Sequence, residues 1–183
     1  VTTDTGGTGQ GPSAAGALRL ERLRADHADA VLAFERENRA WFSRLVPDRG
    51  DAYFAEFAAR HARLLRDQDA GSDHFHVLLD TGGAVVGRFN LVDVADGRAE
   101  LGFRVAERVA GRGVATHGVR RVCRAAREEY GLTGVRAAAA LRNTGSRRVL
   151  ERTGFTAVGE VVLGGEAGTA YLLEPLPAAL PEP

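Results

Sequence analysis

The run Arg108-Val109-Ala110-Gly111-Arg112-Gly113-Val114-Ala115-Thr116 sets glycines and arginines between a strand-like segment, 99–106, and an amphipathic segment that continues to about Tyr130. A helix starting there leaves its first N–H groups without intrahelical acceptors, and its dipole favours negative charge at that end. Gly111 and Gly113 remove the side chains that would hold a phosphate away from those donors. The chemistry expected of the run is binding of a phosphorylated ligand. Backbone donors of Gly111, Arg112, Gly113, Val114, Ala115 and Thr116 would hold it, with charge added by the Arg108 and Arg112 side chains. For the Arg112 side chain a solvated surface position is the equal alternative. The format is Arg-x-x-Gly-x-Gly. It lacks the third glycine of the dinucleotide pattern, and no Gly-Lys-Ser/Thr follows as in a P-loop.

Two further segments carry polar groups at ordered spacing. Asn143-Thr144-Gly145-Ser146-Arg147-Arg148-Val149-Leu150-Glu151-Arg152-Thr153-Gly154-Phe155 opens on a helix-capping asparagine and closes on a helix-ending glycine. Ala99-Glu100-Leu101-Gly102-Phe103-Arg104-Val105 sets a carboxylate on a strand among apolar neighbours. With the glycine run, these segments resemble in order and spacing the GCN5-related N-acetyltransferase (GNAT) superfamily. Its motifs are Gln/Arg-x-x-Gly-x-Gly/Ala and Asn-x-x-Ser-x-x-x-Leu-x-x-x-Gly-Phe. The wording is closest to the RimJ/RimL-like branch of ribosomal-protein N-terminal acetyltransferases. The resemblance spans about Leu18 to Leu176 and is specific from Glu100 to Phe155.

The resemblance implies acetyl-CoA as co-substrate. Its pyrophosphate would rest on the glycine loop and its pantetheine arm beside the strand end at Phe103 and Val105. A backbone N–H at or near Val105 would point at the thioester oxygen, a contact worth about 3 kcal/mol in the transition state. Glu100 becomes the general base, its pKa raised by the apolar neighbours Leu101 and Phe103. The alternative is an outward-facing glutamate paired with Arg98 or Arg88. Ser146 becomes the general acid toward the leaving thiolate, and Asn143 a helix cap that also touches the coenzyme. A helix-start serine making only local bonds is the alternative for Ser146. Many family members use a tyrosine here, and none stands in this segment. Trp41 and Phe42 either line the acceptor pocket or belong to the core.

Positioning these groups requires a mixed α/β layer. The expected order is β-α-α-β-β-β-α-β-α-β-β, a single-domain GNAT-like α/β fold, which the resemblance implies and propensity alone does not select. Leu18 to Leu23 alternates as a strand. Asp26 is placed to cap a first helix carrying Ala30, Val31 and Phe34 on one face. A second helix fits Asp51 to Arg66, with Phe54, Phe57, His61 and Leu65 at helical spacing. Segments 75–79 and 84–92 read as a hairpin around Thr81-Gly82-Gly83. After the strand Arg98 to Ala106, the helix following the glycine loop turns Ala115, Val119, Val122 and Ala126 inward. Val135 to Leu141 is a buried strand, Asn143 caps a short helix ending at Gly154, and strands at 155–163 and 169–173 close the order. The acetyltransferase domain is 18–176, between tails 1–17 and 177–183. The end from Pro175, with four of the six prolines, should be loose.

The chain has 183 residues, enough for one domain with a proper core. No run approaches the ~20 apolar residues of a membrane span, and the first 17 residues lack the apolar stretch of a secretory signal. Val1, in a chain without methionine, reads as a literally translated start codon. The formal charge is zero and every one of the 24 basic residues is arginine, so no general affinity for nucleic acid is expected. A single cysteine, Cys123, excludes an internal disulfide and fits a reducing cytoplasm. It sits among apolar helix positions and reads as core. His74 and His76 share a strand face, but no third ligand accompanies them, so no metal is expected.

The function expected is acetyl-CoA-dependent N-acetylation of an amine by direct attack. A protein or peptide N-terminus is the first choice of acceptor, because an α-amine of pKa near ~8 keeps more neutral form at pH 7 than lysine at ~10.4. A small-molecule amine, such as an antibiotic or natural product, is the alternative. A non-catalytic acyl-CoA sensor is the rival from another class, and it would dispense with Glu100 and Ser146. The partners expected are the acceptor and acetyl-CoA, with neither nucleic acid nor membrane, and the chain is a monomer or homodimer.

Overall fold

The computed structural model describes residues 18–178, so segment 1–17 and most of the expected C-terminal tail lie outside the described residues. These residues build one sheet of seven strands in the order β1-β2-β3-β4-β5-β7-β6. Strands β1 (Arg19–Arg22), β2 (His74–Leu79), β3 (Val85–Ala95) and β4 (Arg98–Val105) each pair antiparallel with the next. Strand β5 (Gly134–Ala140) lies parallel to β4, which requires a crossover, supplied by helix α5 (Val114–Glu128). Helix α6 (Thr144–Arg152) leads to β6 (Thr156–Leu163) and β7 (Glu166–Leu173), and β7 pairs with β5. The strand order along the chain is the one expected.

The N-terminal helices are more broken than expected. The first becomes α1 (Ala28–Glu37) and α2 (Arg39–Ser43), the second α3 (Asp51–Ala55) and α4 (Phe57–Asp69). Asn38 makes the first break. Its Nδ2 donates to the Phe34 carbonyl at 2.9 Å, and its Oδ1 accepts from the Glu107 N–H at 2.9 Å, tying α1 to the end of β4. Asp26 does not cap α1. It lies in a 3₁₀ turn, with its carboxylate taken by Arg24 Nε at 3.0 Å.

The sheet buries a separate core on each face. On one, Val31, Phe34, Phe42, Tyr53 and Phe57 of α1–α4 meet Phe75, Val77 and Leu79 of β2. On the other, Val119, Val122, Cys123 and Ala126 of α5 meet Leu78, Phe89, Leu91 and Leu101. Gly118 sets the depth of α5: a Cβ there would stand 2.0 Å from the Phe89 ring, so only glycine allows this approach. Leu176 corrects the expectation of looseness from Pro175 onward. It is buried in the α5-side core, and its N–H donates to the Thr133 carbonyl at 2.9 Å.

Candidate active site

The sheet opens where β4 and β5 part. Their parallel pairing runs from Arg98↔Gly134 to Leu101↔Ala137 and stops, while β5 continues to Ala140 against β7 alone. The gap therefore lies between β4 from Gly102 onward and β5 from Ala138 onward. Hydrogen bonding on the other side of β4 fixes which groups face it. The Ala106 N–H donates to the Val86 carbonyl at 2.9 Å, and antiparallel bonds alternate, so Arg104 and Gly102 also bond toward β3. The N–H groups of Phe103 and Val105 consequently point to the open side. This is the strand edge on which the sequence reading set the thioester donor.

A cleft of about 390 Å³ runs from this gap to the start of α5. Gly111 and Gly113 both have positive φ, 75° and 79°, and Gly113 is the N-cap residue of α5. No side chain caps α5, and the first helical bond is His117 N–H to the Gly113 carbonyl at 2.9 Å. The N–H groups of Val114, Ala115 and Thr116 are left at the helix start. A Cβ on either glycine would meet no atom within 4 Å, so the space over the loop is open. An anion resting there finds unpaired donors and the positive end of a 15-residue helix.

Ten of the residues singled out from the sequence line this cleft: Trp41, Phe42, Phe103, Val105, Gly111, Gly113, Ala115, Thr116, Asn143 and Ser146. Asn143 caps α6, its Oδ1 accepting from the Ser146 N–H at 3.1 Å, which turns the start of α6 toward the gap. Trp41 is half-exposed on the wall, whereas Phe42 is buried against Phe34 and serves both core and cleft. Val114 is core, 2% exposed, and only its backbone belongs to the loop. Arg112 is exposed and off the lining. The Arg108 side chain is turned away, ion-paired with Asp80 at 3.0 Å.

Glu100 does not line this cleft. It sits on β4 one residue pair before Gly102, on the face that β4 turns to α1–α4, and it is half-buried. Burial raises its pKa, against an opposing pull from Arg136. The partners that would have made it an ordinary strand glutamate are engaged elsewhere, Arg98 with Glu174 and Arg88 with Glu35. Cys123 is buried in the core with its thiol pushed up to about 12, so it offers no thiolate. His76 Nδ1 lies 3.2 Å from the Phe89 carbonyl and Nε2 2.8 Å from the Tyr130 hydroxyl, against which His74 stacks. Among the described residues no group of three or more His, Cys, Asp or Glu could hold a metal ion.

A second cavity of about 250 Å³ adjoins the cleft and shares Phe103, Arg104, Asn143 and Ser146 with it. Behind it lies a buried ionic cluster that the sequence reading missed. Glu35 of α1, 1% exposed, accepts from Arg88 of β3 at 2.7 Å and Arg104 of β4 at 3.0 Å, with Arg49 at 3.5 Å. Burial alone would raise the Glu35 carboxyl, but Arg104, Arg88 and Arg49 outweigh it and hold it below the usual carboxylate range. Also missed were Arg148 and Arg152, one turn apart on α6, which line the same cleft as the glycine loop. Their signal was the four-residue spacing, which sets both on one helix face. Together the two cavities are lined by five arginines and by no aspartate or glutamate among the described residues.

Comparison with known proteins agrees with this fold. Residues 17–156 match the family described as acetyltransferase (GNAT) domain. The probable N-acetyltransferase YjcK of Bacillus subtilis is 28% identical over 147 residues, 75% of this chain and 80% of that protein. The ribosomal-protein-S5-alanine acetyltransferase of Vibrio fischeri superposes with a TM-score of 0.81 at 17% identity, covering 87% of this chain and 93% of the other. A spermidine N-acetyltransferase from Vibrio cholerae, solved with CoA and spermine, gives 0.71 at 18% identity, covering 87% and 96%. Among the described residues no helix is long and apolar enough to cross a membrane.

Proposed function

The chain belongs to the GNAT acetyltransferase family, and from that membership we propose that it acetylates the α-amine of a protein or peptide N-terminus by direct attack. It is an acetyl-CoA-dependent N-acetyltransferase. The acceptor and the residue roles are the proposal. A RimJ/RimL-like assignment accords with the wording of the Glu100 and Asn143 segments, and a cytoplasmic setting with the lone, core-buried Cys123.

Acetyl-CoA supplies a thioester whose carbonyl carbon accepts the amine's electron pair as its C–S bond breaks. The chain's own groups supply the rest. The open loop at Gly111 and Gly113 and the N–H groups of Val114 to Thr116 hold the pyrophosphate, with Arg148 and Arg152 of the same cleft lining adding positive charge. The Phe103 and Val105 N–H groups line the gap as strand-edge donors, and Val105 is assigned to the thioester oxygen. Glu100 takes the proton released by the amine through a water, since its raised pKa suits a general base. Ser146, at the start of α6 and shared by both cavities, hydrogen-bonds the departing sulfur.

The lining charge carries the choice of acceptor. A polyamine brings two or more ammonium groups and calls for carboxylates, whereas these cavities present five arginines and no carboxylate. Neighbouring cations disfavour an ammonium and favour an amine that loses its proton readily. An α-amine, with pKa near ~8, meets that condition far more easily than a polyamine or lysine near ~10.4.

The test is release of CoA thiol with three acceptors: a peptide with a free N-terminus, the same peptide N-terminally blocked with an internal lysine, and spermidine. The free N-terminus should be acetylated well below pH 8 and the other two should lag. A blocked lysine peptide or spermidine that outpaces it would overturn the α-amine assignment.

A further inference from the structure

Around the second cavity three guanidinium groups share one carboxylate. Glu35 is fully used by Arg88, Arg104 and Arg49, and the other acids on that wall are already taken: Asp48 and Asp51 both receive Arg39, at 2.6 and 2.7 Å. Counting Arg39 with them, four arginines meet three carboxylates, so the wall carries an excess of one positive charge. Arg88 is buried, whereas the side chains of Arg49 and Arg104 are 34% and 23% exposed, and all three residues line the cavity. Two buried polar atoms on residues of the same lining lack a hydrogen-bond partner, the Arg88 Nε donor and the Asn90 Oδ1 acceptor. Gly102 opens the floor between them, for a Cβ there would meet nothing within 4 Å. The coenzyme's phosphates do not account for this charge, because the glycine loop lines only the larger cleft. A cavity with excess guanidinium charge and an unpaired acceptor beside it fits a ligand that carries an anion and an N–H close together.

We propose that the acceptor bears a carboxylate within its first two residues, an acidic peptide N-terminus, held by Arg49 and Arg104 while its α-amine turns toward the β4–β5 gap. This rests on the α-amine reading and narrows it. Arg49 and Arg104 are then specificity determinants and take no part in proton transfer. Arg104 and Ser146 line both cavities, so the two adjoin, and a carboxylate in one and an α-amine in the other can belong to one short peptide.

The experiment measures KM with free-N-terminus peptides that differ only at position one or two, carrying a carboxylate, the matching amide, or lysine. β-Alanine and its amide serve as a paired small amine. The carboxylate at one of the two positions should lower KM at least fivefold against the amide, and lysine should be poorest. In Arg49→Gln the carboxylate-to-amide ratio should fall toward one, and rising salt should narrow the wild-type ratio. Equal KM for carboxylate and amide at both positions, or a preference for lysine, overturns the proposal. If no peptide turns over but the small amines do, the N-terminal reading fails by itself. The β-alanine pair then decides whether the anion preference survives it. The comparison is made on the wild-type enzyme, so a misfolded Arg49 variant would not leave the question open.

Discussion

Glu100 has the properties of a base held at some cost to the fold. Burial raises its carboxyl pKa, so the folded state disfavours the ionised form that the proposed base role requires. The sign follows from linkage. A carboxyl whose folded pKa lies above its unfolded value costs stability at neutral pH, and that cost declines as pH falls below the folded value and is gone below the unfolded one. Glu100→Gln should therefore unfold at a temperature equal to or above wild type at pH 7, an advantage that vanishes in acid. The same substitution should lower kcat with little change in acetyl-CoA affinity. Wild-type kcat should fall off below a pKa higher than that of an ordinary carboxylate, and the variant should lack that limb. Thermal melts and pH–rate profiles on one pair of proteins check both. Wild-type kcat across the pH range in the variant would make Glu100 structural.

At the scale of elements, the site depends on ties between segments far apart in the chain. Glu35 links α1 to β3 through Arg88 and to β4 through Arg104, sequence separations of 53 and 69 residues. Removing its charge leaves buried guanidinium groups with no counter-ion, a change that typically costs about 3–5 kcal/mol. Glu35→Gln should lose stability on that scale by denaturant unfolding. The carboxyl is held below its usual range, so its contribution is complete at neutral pH and lost as pH falls through the folded value. The difference between wild type and variant should thus narrow on acidification. A loss under about 1 kcal/mol at pH 7, the scale of an exposed pair, would contradict the tether. Gly118 is the second tie, since its missing side chain lets α5 rest on Phe89 and so sets the height of the glycine loop above the sheet.

Over the whole molecule, the groups legible in the sequence are those whose role is fixed by contiguous backbone. Gly111 and Gly113 at a helix start, and Asn143 three residues before the Ser146 N–H, carry their geometry locally, and both arrangements stand as the sequence suggested. The seven strands were legible because alternation and turn residues mark them one at a time. The break at Asn38 was not, because it answers to the Glu107 N–H, 69 residues away. The Glu35 cluster was hidden likewise, since in α1 a buried glutamate beside Phe34 looks like any helix-surface acid. The β4–β5 gap depends on where β5 leaves β4 for β7, which no local pattern encodes.

The central claim is that coenzyme phosphates rest on the start of α5 over Gly113, and calorimetric titration with acetyl-CoA tests it most directly. Gly113 has φ of 79°, so Gly113→Val brings strain of about 1–2 kcal/mol as well as a side chain in the phosphate's place, and its folded state is verified first. Folded Gly113→Val should bind acetyl-CoA at least tenfold more weakly than wild type, equivalent to about 1.4 kcal/mol. An unchanged affinity in the folded variant would contradict the claim and, with it, the placement of the thioester in the gap.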